Sequence, residues 1–171
     1  MPISLHQASI PLFEQMLESL SAVLNKAEAH CAAAGTKQED FLSQRLAPDM
    51  FTLTQQVQRS CIHACGAAAR LAGLAVPEEG DKEASFKDLQ DRIARARAFI
   101  GTVTPEQMAA RENEIVEQPT RVKTFALPAP DLLLHFAIPQ FMFHVTTAYD
   151  IIRHAGVTVG KADYMGSIMH R

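Results

Sequence analysis

The sequence predicts an all-α chain, an antiparallel four-helix bundle with a short irregular or β-hairpin insertion before the last long helix. Three observations carry this expectation. Four long segments repeat apolar residues at intervals of three and four. Start and stop residues of the helical kind bound these segments. Strand-like character appears only between the third and fourth. The helices are therefore expected near residues 6–33, 48–72, 85–101 and 130–155, and the insertion near 112–127. With no internal repeat or linker, residues 1–171 are expected to form a single domain.

The first helix carries Ile10, Phe13, Leu17, Leu20, Leu24 and Ala27 on one stripe, and Gly35 suits the residue just past its end. Pro11 either kinks the first turns or marks the start. Residues Glu39 to Leu46 read as a short helical linker. The second helix is expected to begin at Pro48-Asp49, with proline pre-set for a first turn and an acid favoured by the dipole. Its core stripe is Leu53, Val57, Cys61, Ala64, Ala68 and Leu71, and Gly73 and Pro77 end it.

Ser85 and Asp88 read as a capping box opening the third helix. Phe86, Leu89, Ile93, Ala96 and Ile100 face inward there, and Asp88, Asp91, Arg92, Arg95 and Arg97 read as a solvated face. The stretches Ile115 to Gln118 and Arg121 to Phe125 flank Pro119-Thr120 as a hairpin would. The fourth helix follows Leu127-Pro-Ala-Pro-Asp131 and closes at Arg153, His154 and Gly156. Pro139 cannot donate to the carbonyl of His135 and should bend this helix. The tail from Val157 onward has no helical period and is expected as irregular chain packed on the bundle.

The net charge is −3 and the Lys and Arg residues are scattered, so binding to nucleic acid through phosphates is not expected. No apolar run approaches a membrane span, and Met-Pro-Ile-Ser at the start is not a signal peptide. A cytoplasmic location follows as an expectation. The three cysteines, Cys31, Cys61 and Cys65, are odd in number and read as small buried residues rather than a disulfide framework.

Gln140 and His144 lie one turn apart on the fourth helix and share a face. His63 lies among small residues on the second helix, where Asp49, Gln56 and His63 recur every seven residues. That polar stripe is either a helix flank meeting solvent, a network between helices, or one wall of a pocket holding His63, Gln140 and His144. Cys61 and Cys65 point away from His63, because residues two apart on a helix diverge by about 200°. A Cys–His nucleophile is therefore not expected. Thr147 and Asp150 lie closer in angle to His144 and are candidate supporting groups.

The segments Arg45-Leu-Ala-Pro-Asp-Met-Phe51, Gly66-Ala-Ala-Ala-Arg-Leu-Ala-Gly73, Phe143-His-Val-Thr-Thr-Ala-Tyr149 and Gly160-Lys-Ala-Asp-Tyr-Met-Gly166 resemble a bacterial family known only as a domain of unknown function. That family is similar to the DinB/YfiT-like four-helix bundles. The resemblance spans nearly the whole chain and implies one bundle, commonly a homodimer. Many DinB-like proteins hold a divalent metal with three histidines, and some are thiol-dependent transferases or isomerases. The resemblance places His63 at the first ligand position and His144 at the last, with Gln140 where the family has a histidine. An amide oxygen is a poorer ligand for zinc or nickel than imidazole.

Two functions are consistent with this sequence. One is a small-molecule-binding or non-catalytic interaction protein with a degenerate metal-site pocket. The other is a divalent-metal-dependent enzyme of the thiol-transferase or isomerase type, with a weakly bound zinc or nickel as its cofactor.

Overall fold

The computed structural model describes residues 3–78 and 80–170. Four long helices make the bundle: α1 (Leu5–Ala34), α3 (Leu53–Ala72), α4 (Phe86–Ile100) and α7 (Ile138–His154). Going round it, α1 packs on α4, α4 on α3, α3 on α7, and α7 on α1. Short helices α2 (Gln38–Leu42) and α5 (Pro105–Ala109) punctuate the connections. The expected apolar stripes all turn inward. Phe13, Leu17, Leu53, Val57, Leu71, Leu89 and Ile100 are fully buried, and Phe13 meets Phe141 edge-on at 4.9 Å.

Helix starts are set by hydroxyl caps. Ser4, Thr52, Ser85 and Thr104 each accept a hydrogen bond from the backbone N–H three residues on, and the side chain at that position answers to the cap's own N–H. Three of these boxes end in glutamine. The α1 start is thus Leu5, and Pro11 sits exposed inside the helix. The second long helix starts at Leu53, not at Pro48-Asp49. Met50 N–H donates to Ala47 O at 3.0 Å, so those two residues are the centre of a tight turn, where proline's fixed φ is equally at home. Asp49 therefore drops out of the polar stripe.

The insertion is a true hairpin. Strand β1 (Ile115–Pro119) pairs antiparallel with β2 (Thr124–Pro128), Val116 opposite Leu127. Pro119 is tolerated because it ends its strand. The second strand runs three residues further than the expected Arg121-to-Phe125 stretch, up to Pro128.

A one-turn helix, α6 (Ala129–Asp131), and a π-helical stretch, Leu132–Ala137, lead directly into α7. This is how Pro139 is accommodated. Ile138 N–H reaches back five residues to Leu133 O, and the widened turn precedes the residue that has no N–H to give. His135 is left exposed, while Phe136 and Ala137 turn to the bundle.

The tail is more ordered than expected. It forms α8 (Lys161–Met165) and a 3-10 turn (Gly166–His170) against α1. Asp163 Oδ2 accepts from Gly160 N–H at 2.8 Å. Ser19 donates to Asp163 O and Tyr164 O. Tyr164 Oη bonds Thr146 Oγ1 at 2.7 Å. The signals here are polar and tertiary, so an apolar period does not register them.

The expected solvated face of the third helix needs one correction. Arg92 is 0% exposed. Its Nη1 donates to Glu83 at 2.9 Å and to Gly80 O at 3.0 Å, with Asp81 at 3.5 Å. The connector between α3 and α4 folds over the guanidinium and supplies these acceptors. Burial here is decided by chain distant from the helix face itself.

Candidate functional site

A cleft of about 1030 Å³ opens between α3, α7, the π-helical stretch and the hairpin tip. Its α3 wall carries Arg59, His63, Gly66 and Arg70, at intervals of four, three and four on one helical face. Its α7 wall carries Gln140 and His144. Phe51, Ile62, Val76 and Phe136 supply apolar surface, and Arg121 and Val122 approach from the hairpin. The three residues predicted from sequence to share a pocket thus line the same cleft.

The two imidazoles lie face to face, ring centroids 5.1 Å apart and planes 8° from parallel. His144 is nearly buried, 6% exposed. Its Nδ1 is 2.7 Å from Gln56 Oε1, while Gln56 Nε2 donates to Phe51 O at 3.4 Å. The amide orientation makes Oε1 the acceptor, so Nδ1 carries the proton and Nε2 keeps its lone pair. Gln56, which shares a polar stripe with His63 in the sequence, therefore spends its side chain on His144. Burial first, then the Arg59 and Arg70 cations, hold His63 down at about 4. Burial, His63 and Arg59 hold His144 at about 4 as well. Both rings are neutral near pH 7.

The arginines were missed in the sequence, although their spacing with His63 was a readable signal. Arg59 is ion-paired with Asp81 and lies over Phe51, 5.8 Å from the ring centre. Arg70 differs. Its guanidinium makes no hydrogen bond or ion pair among the described residues, and burial lowers its pKa. It lies across Gly66, where a Cβ would come within 2.6 Å of Nη1. Glycine at 66 leaves room for an arginine rather than for a void beside His63. Among the described residues no Asp or Glu lines the cleft.

The other polar and thiol side chains singled out in the sequence contribute nothing to the lining of the cleft. Ser60 is buried and donates to Gln56 O within its own helix. Thr147 Oγ1 donates to Phe143 O, and Asp150 is exposed; the hydrogen-bond partner of His144 is Gln56 instead. Cys31, Cys61 and Cys65 are buried and not joined in disulfides.

The donor set fits a trihistidine metal centre poorly. Stacked parallel rings do not converge their nitrogens as tetrahedral ligands must. Two guanidiniums beside them repel a dication. Among the described residues no three His, Cys, Asp or Glu side chains gather in a metal-holding group.

A DinB-like helical bundle with a cationic, largely apolar cleft is the class these features define. The chain belongs to the family described as "Domain of unknown function (DUF1993)", whose model matches residues 5–165. It is also similar to a solved structure titled as a DinB family member protein from Shewanella denitrificans. That likeness has 34% identity and a TM-score of 0.88, and covers 95% of this chain and 92% of the other. No curated protein matches. Among the described residues no helix is long and apolar enough to cross a membrane.

Proposed function

We propose that this protein binds a small anionic molecule with an apolar body, and that Arg70 is its anchor. The observation that carries this reading is a partly buried guanidinium that, among the described residues, has no hydrogen-bond or ion-pair partner and faces a cleft lined by no carboxylate. A desolvated cation of this kind gains most from an anion that replaces its lost water. Phe51, Phe136 and Ile62 offer apolar contact to the rest of the molecule. The lone pair of His144 Nε2 is available to a ligand hydroxyl or amide. With its cysteines buried and reduced, the protein suits a cytoplasmic binding role.

The alternative is a divalent-metal-dependent transferase or isomerase using His63, Gln140 and His144. One observation favours it: both imidazoles are neutral, as ligands must be.

One calorimetric experiment separates the two. 2-Naphthoate, an apolar ring with one carboxylate, is expected to bind the wild type. Arg70→Gln should weaken it about tenfold or more, the loss of one charge-assisted pair. Gly66→Ala should act in the same direction by displacing the guanidinium. Naphthoate affinity unchanged in Arg70→Gln would refute the anchor. Zinc or nickel chloride is expected to show no one-to-one uptake. Saturable uptake lost in both His63→Ala and His144→Ala would establish the metal reading instead.

We further propose a homodimer formed by two copies of the outer α7 face. Leu134 on the π-helical stretch and Phe143 on α7 are 53% and 54% exposed, and Ile138 and Met142 are partly buried against the core. Large apolar side chains exposed in this way suit a seam between two copies. Sedimentation should give a dimer at micromolar concentration, and Phe143→Glu should give a monomer. A monomeric wild type would remove this proposal.

A further inference from the structure

The cleft has a second cationic wall, on the hairpin. The root of that hairpin is held firmly. Val116 is buried, 3% exposed. Ala129 N–H donates to Glu114 O at 3.0 Å, and Phe125 packs on Phe136 with ring centroids 5.6 Å apart. The tip is held by its own turn: Thr120 N–H and Oγ1 both donate to Lys123 O, at 3.0 and 2.7 Å. Three residues in that turn line the cleft, Thr120, Arg121 and Val122. Arg121 makes no hydrogen bond or ion pair among the described residues. Val122 is 92% exposed, an apolar side chain placed in water at the mouth of a cleft.

The charge balance of the cleft then limits what fits. Among the described residues three arginines line it. Arg59 is neutralised by Asp81, and among the described residues no acidic side chain offsets Arg70 or Arg121. Two uncompensated guanidiniums therefore face one cleft from different elements, a helix and a hairpin tip, with Ile62, Val76 and Phe136 also on its walls. We propose that the ligand is a dicarboxylate with an apolar middle, one end held by Arg70 and the other by Arg121, with Val122 covering the middle. This rests on the reading of Arg70 as the anion anchor and adds the second end. Guanidinium suits it, because its planar fork pairs with a carboxylate through two bonds.

The test compares 2-naphthoate with 2,6-naphthalenedicarboxylate by calorimetry on the wild type, Arg70→Gln and Arg121→Gln. On the wild type the dicarboxylate should bind about tenfold more tightly. Arg121→Gln should erase that advantage and leave naphthoate unchanged, while Arg70→Gln should weaken both. Equal affinities on the wild type, or an advantage that survives Arg121→Gln, overturns the two-ended ligand and leaves the Arg70 anchor standing. Naphthoate binding that ignores Arg70→Gln overturns the anchor itself. The chain contains no tryptophan, so Val122→Trp reports on the tip alone. Its emission should shift to the blue with the dicarboxylate, and an unmoved spectrum at saturation contradicts cover by residue 122.

Discussion

Replacing Arg92 by methionine is expected to lower the unfolding free energy by about 3–5 kcal/mol, among the largest effects of any single substitution in this chain. Arg92 is fully buried, and Glu83 beside it has a side chain only 7% exposed. Methionine preserves the length and apolar packing of the side chain. What it removes is the cation, leaving Glu83 ionised in a buried place. Burial pushes the Glu83 carboxyl up, but Gln58, its own backbone and Arg92 together hold it below the usual range. Gln58 Nε2 still donates to it at 2.8 Å and the half-exposed Arg95 stays 3.8 Å away, which together are too little to replace the buried guanidinium. Urea unfolding measures the loss directly. Adding Glu83→Leu to Arg92→Met should restore part of it, because removing both charges together is far less costly than removing one. A loss under about 1 kcal/mol for Arg92→Met would show that the pair is not desolvated in solution.

The second large effect is acid sensitivity from the stacked histidines. A histidine with a folded-state pKa below its unfolded value binds fewer protons folded than unfolded. The neutral pair therefore stabilises the fold fully above pH 6.5, and that stability is lost as pH falls from 6.5 towards 4. Between pH 7 and pH 5 the pair should cost on the order of 3 kcal/mol, trimmed because His63 meets the open cleft. Denaturant unfolding at the two pH values checks this, with His63→Phe as the comparison. That variant cannot acquire the second charge and should lose clearly less on acidification. An identical loss in both proteins would mean that the fall comes from groups elsewhere.

Much of this molecule was legible in the sequence because its signals are local. Apolar periodicity marked the four long helices, and almost every residue placed on their inner stripes is buried. Gln140 and His144 share a face by helical spacing alone. Pro48-Asp49 and the Thr52–Gln55 capping box both offer a helix start, and the chain uses the capping box. A tight turn and a first helical turn make the same demand on proline, so the residue cannot distinguish them.

The remainder was set by contacts between distant segments. Amphipathic periods fix which face of a helix turns inward, since burying apolar surface is roughly proportional to its area and depends little on the partner. Polar side chains obey no such period. Their placement depends on which donor or acceptor the rest of the chain delivers. Arg92 is buried because residues 80–83 fold over it, Gln56 turns to His144 across a helix interface, and Arg70 lies in the cleft because Gly66 lets it cross. The bundle could thus be anticipated from one strand of sequence at a time, whereas the charge of its cleft required all the walls to be in place.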